Sequence, residues 1–190
     1  IPTELYSVEN VHFNSELPKN WKAYSFDFTE EQMVKAIRKG VVVEIKNSYT
    51  ADTLTKIDYY SKQNSITIEH KDGTVARYQG FDKNKIKVKL GEIVYPQSEL
   101  GGLAKYDSRN LYRLYLTVYY YATIKGKSLQ KINSTDDYEV SYLTPNFYQN
   151  KDIIQVQSGV EYIVQYDEKN LFKEMKRREI KKFKAKQQLD

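Results

Sequence analysis

His12 and His70 are the only imidazoles in the 190 residues, and the chain has no cysteine. Disulfides, thiolate nucleophiles and cysteine-based zinc or iron–sulfur sites are therefore excluded. Glu9-x-x-His12 would put two metal ligands on one helical face, but Val11 and Phe13 beside them do not read as a helix start. His70 closes an alternating segment just before a turn, where a solvated imidazole is ordinary, and neither histidine has a partner at metal-ligand spacing. Gly126-Lys127-Ser128 resembles the end of a phosphate loop, yet the glycine required five residues earlier is Tyr121. No Gly-x-Ser-x-Gly marks a nucleophile. Asp136-Asp137-x-Glu139, preceded by Asn133, has oxygens enough for a hard cation, but a polar turn before a strand has the same composition. The expectation is no catalytic residue, no metal and no cofactor.

One stretch offers a different chemistry. In 111–125, one set of alternate positions is Tyr112, Leu114, Leu116, Val118, Tyr120, Ala122 and Ile124, a core face. The other set includes Arg113, Tyr115, Thr117, Tyr119 and Tyr121, an amphipathic face. Alternate side chains of a strand line one surface about 7 Å apart, so these tyrosines would offer flat rings with polar tips. Arg113, Tyr115, Thr117, Tyr119 and Tyr121 are the candidate ligand-binding residues. A helix laid over that face would turn the same residues into ordinary packing.

The elements that must position them follow from periodicity. Residues 1–28 read as an irregular lead-in. Thr29 and Gln32 form a capping box, with Glu30 and Glu31 at the start, Arg38 and Lys39 at the end and Gly40 as the stop, which predicts a helix over 29–39. From 41 the period becomes two: Val41, Val43 and Ile45 alternate with Glu44 and Lys46, and Ile66 and Ile68 with Thr67 and Glu69. Lys71-Asp72-Gly73-Thr74 predicts a tight hairpin turn. Ile86, Val88 and Leu90 are expected inside, opposite Lys85, Lys87 and Lys89, with a weaker strand over 54–60. Residues 96–110, around Gly101-Gly102, read as a surface loop, the one place where a domain boundary would fall. Further strands are expected at 137–143, 152–157 and 160–166. Residues 41–167 are thus mainly antiparallel strands, since one wet face per strand is the mark of such sheets.

The tail, 168–187, returns to helical spacing. Residues 168–190 hold 9 Lys+Arg and 4 Asp+Glu, leaving 21 of each sign on the rest, so the tail carries the whole net charge of +5. Leu171, Phe172, Met175, Ile180 and Phe183 make an apolar side suited to covering a sheet, and Glu174 with Arg178 forms an i,i+4 pair. Lys173, Arg177, Lys181 and Lys184 form the opposite stripe and are the candidate anion-binding residues.

The expected fold is β-rich α+β in a single domain: a curved antiparallel sheet, barrel- or sandwich-like, with a short helix in the N-terminal half and a basic amphipathic helix at the C-terminus. No stretch of about 18 apolar residues would span a membrane. The expected function is a non-enzymatic binding module, extracellular or in the cell envelope, for a glycan, peptide or protein partner. The start at Ile1 would suit a processed terminus. The alternatives are a nucleic-acid or polyanion binder acting through the basic C-terminal helix, which would also allow peripheral contact with an anionic surface, and a structural or assembly subunit of a secretion apparatus or phage particle.

Overall fold

The computed structural model describes residues 21–50, 62–105, 111–123, 138–163 and 166–187. Its strands are β1 (Tyr24–Phe28), β2 (Met33–Lys35), β3 (Gly40–Lys46), β4 (Asn64–Glu69), β5 (Val75–Ile86), β6 (Ile93–Val94), β7 (Glu99–Leu103), β8 (Tyr112–Thr123), β9 (Tyr138–Tyr142), β10 (Phe147–Gln149) and β11 (Asp152–Ile154). Two helices follow, α1 (Glu168–Phe172) and α2 (Arg177–Gln187). The main sheet runs β1-β8-β5-β4-β3-β6, with β9 on β8 and β7 joining β5 to β2, and every pair is antiparallel. A β-rich α+β fold with an antiparallel sheet and helices at its C-terminal end is what the alternation and the tail predicted.

One face of this sheet is apolar. Tyr24 and Phe26 stand opposite Leu116 and Leu114, and Ala76 and Tyr78 carry the layer on to Ile68 and Ile66. Phe147 of β10 packs edge-on against Tyr24 and Phe26 at 6.1 and 5.9 Å. The Tyr78 ring is buried in this layer, and its hydroxyl accepts the Ile37 N–H at 3.1 Å, so even the polar atom here is satisfied.

Several expectations are corrected by pairing. The lead-in over 1–28 is not irregular at its end, because Tyr24–Phe28 is a fully buried strand. No helix forms over 29–39. Met33 and Val34 pair with Gly102 and Gly101 instead, and Ala36 exchanges bonds with Ser98 and Gln97. The capping signals lose to the pairing that β7 offers: a Cβ at Gly101 would sit 2.9 Å from the Lys85 carbonyl oxygen, so glycine lets β7 lie close against β5, and its other edge takes β2. The segment expected as a surface loop therefore contains β7, with Leu100 and Leu103 fully buried. Val42 is buried while Val41 and Val43 are exposed, the reverse of the faces expected for them. A bulge between Val42 and Glu44 adds one residue, which puts Val42 and Ile45 on the same face. Leu90 is exposed, since β5 ends at Ile86. No strand forms at 160–163, and the strand expected over 54–60 lies outside the described residues.

The tail is two helices, and it does not lie on β8. It is fastened by its acidic residues to the turn after β2 and to the tip of the β4–β5 hairpin. Arg38 pairs with Glu174 and, at 2.9 Å, with Asp72, whose own carboxylate accepts the Thr74 hydroxyl. Lys39 Nζ meets Glu179 at 2.8 Å, and the Tyr95 hydroxyl donates to the same carboxylate at 2.9 Å. Buried His70 reaches the Lys39 carbonyl through Nδ1 at 2.9 Å. Leu171 and Met175 are buried beneath this latch. Exposed ion pairs contribute little, so Glu174→Gln is expected to lower stability by only about 1 kcal/mol, measurable by urea denaturation.

The latch titrates in one direction. Lys39 holds Glu179 down to about 2. Burial pulls Glu174 upward, but Arg38 outweighs it and leaves the carboxyl below its usual range. Asp72 is also depressed, first by the Thr74 hydroxyl, and burial lowers His70. Each folded value lies below the unfolded one, so each group contributes stability above its unfolded pKa and loses it as pH falls toward the folded value. The melting temperature is expected to fall from pH 6.5 downward as His70 is charged, and more steeply below 4.5 as the carboxylates protonate. Glu179→Gln is expected to flatten the part of that fall between 4.5 and about 2.

Candidate functional site

The other face of the sheet is polar, and it is made by the same alternation that builds the core. Side chains opposite one another in register share a face. Arg113 therefore stands beside Asp27, Tyr115 between Ser25 and Gln79, and Thr117 beside Arg77, which continues to Thr67 and Glu44. Ser25, Asp27, Ser65, Thr67, Arg113 and Thr117 are all buried.

The row is graded along β8. At one end Arg113 places Nε and Nη2 on the two oxygens of Asp27, a fork-on-fork pair with both side chains under a tenth exposed. Its Nη1 donates to the Tyr115 hydroxyl at 3.3 Å, and the guanidinium lies 5.8 Å from that ring. Gly80 makes this end possible, because its backbone passes against the Arg113 carbonyl where no side chain fits. At the other end Tyr121 is 58% exposed, so the row opens to solvent there.

Between the two ends the hydrogen bonding is incomplete. Ser25 Oγ and Arg77 Nε are buried and have no partner. Buried polar atoms in folded proteins are nearly always bonded, so two such atoms on one face call for a specific cause. Tyr119 meets Tyr121 edge-on at 5.6 Å and Tyr142 at 5.8 Å. Burial keeps the phenols of Tyr119 and Tyr142 protonated well above the usual range, against the opposing pull of Arg77.

The structure thus brings Arg113, Tyr115, Thr117, Tyr119 and Tyr121 onto one face, but not as an open ladder of rings. Arg113 is committed to Asp27, Thr117 is buried, and Tyr119 is enclosed by two other tyrosines. Sequence reasoning missed Asp27, Ser25 and Arg77, whose only signal was to fall on alternate positions of strands that had not been paired. The stripe Lys173, Arg177, Lys181 and Lys184 is exposed but broken, since Lys173 caps α1 and the other three belong to α2. Glu174, expected to pair with Arg178, instead holds Arg38. His12 and the carboxylates Asp136 and Asp137 lie outside the described residues.

No family model and no curated protein matches the chain. Solved structures do. The catalytic domain of the antimicrobial peptidase lysostaphin from Staphylococcus simulans is similar over 73% of this chain and 87% of its own, at 19% identity and a TM-score of 0.42. The solution structure of lysostaphin is similar over 68% of this chain and 46% of its own, at 18% identity and 0.43. The deep-sea M23 metalloprotease pseudoalterin is similar over 85% and 93%, at 13% identity and 0.47. The described residues of the present chain do not fit a metal: no three His, Cys, Asp or Glu side chains come together among them, and the buried carboxylate of the polar face already has both oxygens on Arg113. The expectation of a module presenting open tyrosines to a glycan or peptide is overturned, because Tyr119 is packed against Tyr121 and Tyr142 and Arg113 is committed to Asp27, so the ladder is closed on itself. Its alternatives fall with it: the basic stripe is split, and the tail is docked on its own chain by Glu174 and Glu179.

Proposed function

We propose a peptidase-like, peptidoglycan-related role for this chain, exercised in the cell envelope or outside the cell, with the polar face of the sheet as the place that receives the peptide part of the polymer. The observation that carries this reading is the pair of unspent buried atoms, Ser25 Oγ and Arg77 Nε. An extended peptide offers what each lacks, an N–H for the serine oxygen and a carbonyl or carboxylate for the arginine. The two residues lie on β1 and β5, either side of β8 and one step apart along it, about 12 Å between Cα atoms by sheet spacing. About four residues of extended chain cover that distance. Asp27 and Arg113 form a rigid floor at the closed end, and the open end beside Tyr121 is the entrance. No helix among the described residues is long and apolar enough to cross a membrane.

The test uses the full chain and purified peptidoglycan sacculi, following both the protein retained on the pellet and the free amino groups released. Retention or release that soluble stem peptide suppresses is the expected outcome. Absence of both would overturn the reading.

A further inference from the structure

We propose that Arg77 is the anchor for a free carboxylate on the bound peptide, a reading that rests on the peptide-directed role above and narrows it to carboxylate-bearing segments. The other two arginines of the sheet region have anionic partners: Arg113 is gripped by Asp27, and Arg38 by Glu174 and Asp72. Arg77 has none. Its one hydrogen bond, from Nη2 to Ser65 Oγ, is 3.5 Å long, and its buried Nε has no acceptor at all. The carboxylate on the same row, Glu44, is engaged by the Thr67 hydroxyl at 2.9 Å and by Lys46 at 3.6 Å. A half-buried guanidinium, always charged and carrying five donors, is ordinarily held by a carboxylate. Here the described residues supply the cation and leave the anion out.

The surroundings fit that missing group. Tyr119 and Tyr142 lie within the field of Arg77; the Tyr119 hydroxyl is bonded to Tyr121, and the neutral phenol of Tyr142 has an O–H to donate. A planar carboxylate can take two N–H groups of Arg77, Nε–H among them, on its two oxygens in the fork geometry of guanidinium recognition, with the Tyr142 hydroxyl on a remaining lone pair. Arg77 stands opposite Thr117, between the closed and open ends of the row, and the carboxylate is either the C-terminus of a peptide entering from the Tyr121 end or an acidic side chain within one.

Titration calorimetry on the full chain distinguishes these sources. The probes are N,N′-diacetyl-L-lysyl-D-alanyl-D-alanine, its C-terminal amide, and acetyl-alanyl-glutamyl-alanine amide. Wild-type protein is expected to bind at least one carboxylate-bearing probe tenfold or more tightly than the neutral amide, and which one identifies the source. Arg77→Met is expected to remove that preference and keep the weak affinity for the amide, while Arg77→Lys keeps part of it. The melting temperature of Arg77→Met is expected to stay level or rise, because an unpaired half-buried charge has been taken away. Equal binding of acid and amide by the wild type would overturn the anchor and leave the peptide role standing. Binding of no probe would overturn both. A clear fall in melting temperature for Arg77→Met would make Arg77 a structural residue and sink the proposal.

Discussion

Asp27→Ala is expected to lower the unfolding free energy by about 3–5 kcal/mol, enough to remove a large part of the stability of a typical domain. The loss is not the value of a hydrogen bond. Arg113 is 5% exposed, and without Asp27 its guanidinium stays under the sheet and loses the carboxylate that grips it through two nitrogens. Tyr115 offers only a hydroxyl, at 3.3 Å from Nη1, which does not neutralise a charge. The double replacement Asp27→Leu with Arg113→Met separates cost from purpose. Two apolar side chains need no desolvation, so this variant is expected to come within about 1 kcal/mol of the wild type or to exceed it. Urea denaturation of the three proteins measures both quantities. A mild single mutant together with a crippled double mutant would mean that the pair stabilises through packing instead. If the double variant is stable but no longer retained on sacculi, the pair is there to hold the floor of the polar row, which is where Arg113 fixes the Tyr115 hydroxyl.

The same pair shows how far sequence reading reaches. The alternation in 112–123 is strong enough to assign β8 and to separate its two faces, because a 12-residue strand repeats the signal six times. That Arg113 would be buried is not in the alternation, since its partner lies 86 residues away in a five-residue strand without periodicity of its own. Tyr24–Phe28 is buried on both faces, so it has no wet side to alternate with, and it read as an irregular lead-in. The helix expected over 29–39 was a sound local inference from Thr29 and Gln32, overridden by pairing with Gly101 and Gly102. The face assignment of β3 failed for another reason. One inserted residue at Val43 reverses every side chain beyond it, and bulges leave little trace in composition. Arg77 gave no signal of its own because its place on the polar row follows from the pairing of β4, β5 and β8, which alternation within one strand does not fix.

Gly80→Ala is expected to cost about 3 kcal/mol or more, and to do so through Arg113. Gly80 sits at φ +109°, where an L side chain is strained whatever the space around it. A Cβ there would also lie 2.1 Å from the Arg113 carbonyl oxygen, a contact with backbone that no rotamer can relieve. The bulge at this point has a purpose in the core as well: Tyr78 and Phe81 are three residues apart and both fully buried, which strict alternation would forbid. Relieving the clash therefore means either moving β8 and Arg113 off Asp27 or undoing the bulge and exposing Phe81. Gly73→Ala is the control. It lies at a similar φ of +80°, in the β4–β5 hairpin, with nothing within 4 Å of its Cβ, so it measures the strain alone, about 1 kcal/mol. For a domain of this size 1 kcal/mol moves the melting temperature by about 2–4 °C. The control is thus expected to fall by a few degrees and Gly80→Ala by about 6–12 °C. Equal shifts would mean that β8 accommodates the methyl group, and that the close passage of Gly80 does not set where Arg113 stands. A large shift confined to Gly80→Ala, accompanied by loss of retention on sacculi, would tie the bulge, the ion pair and the polar row into one unit.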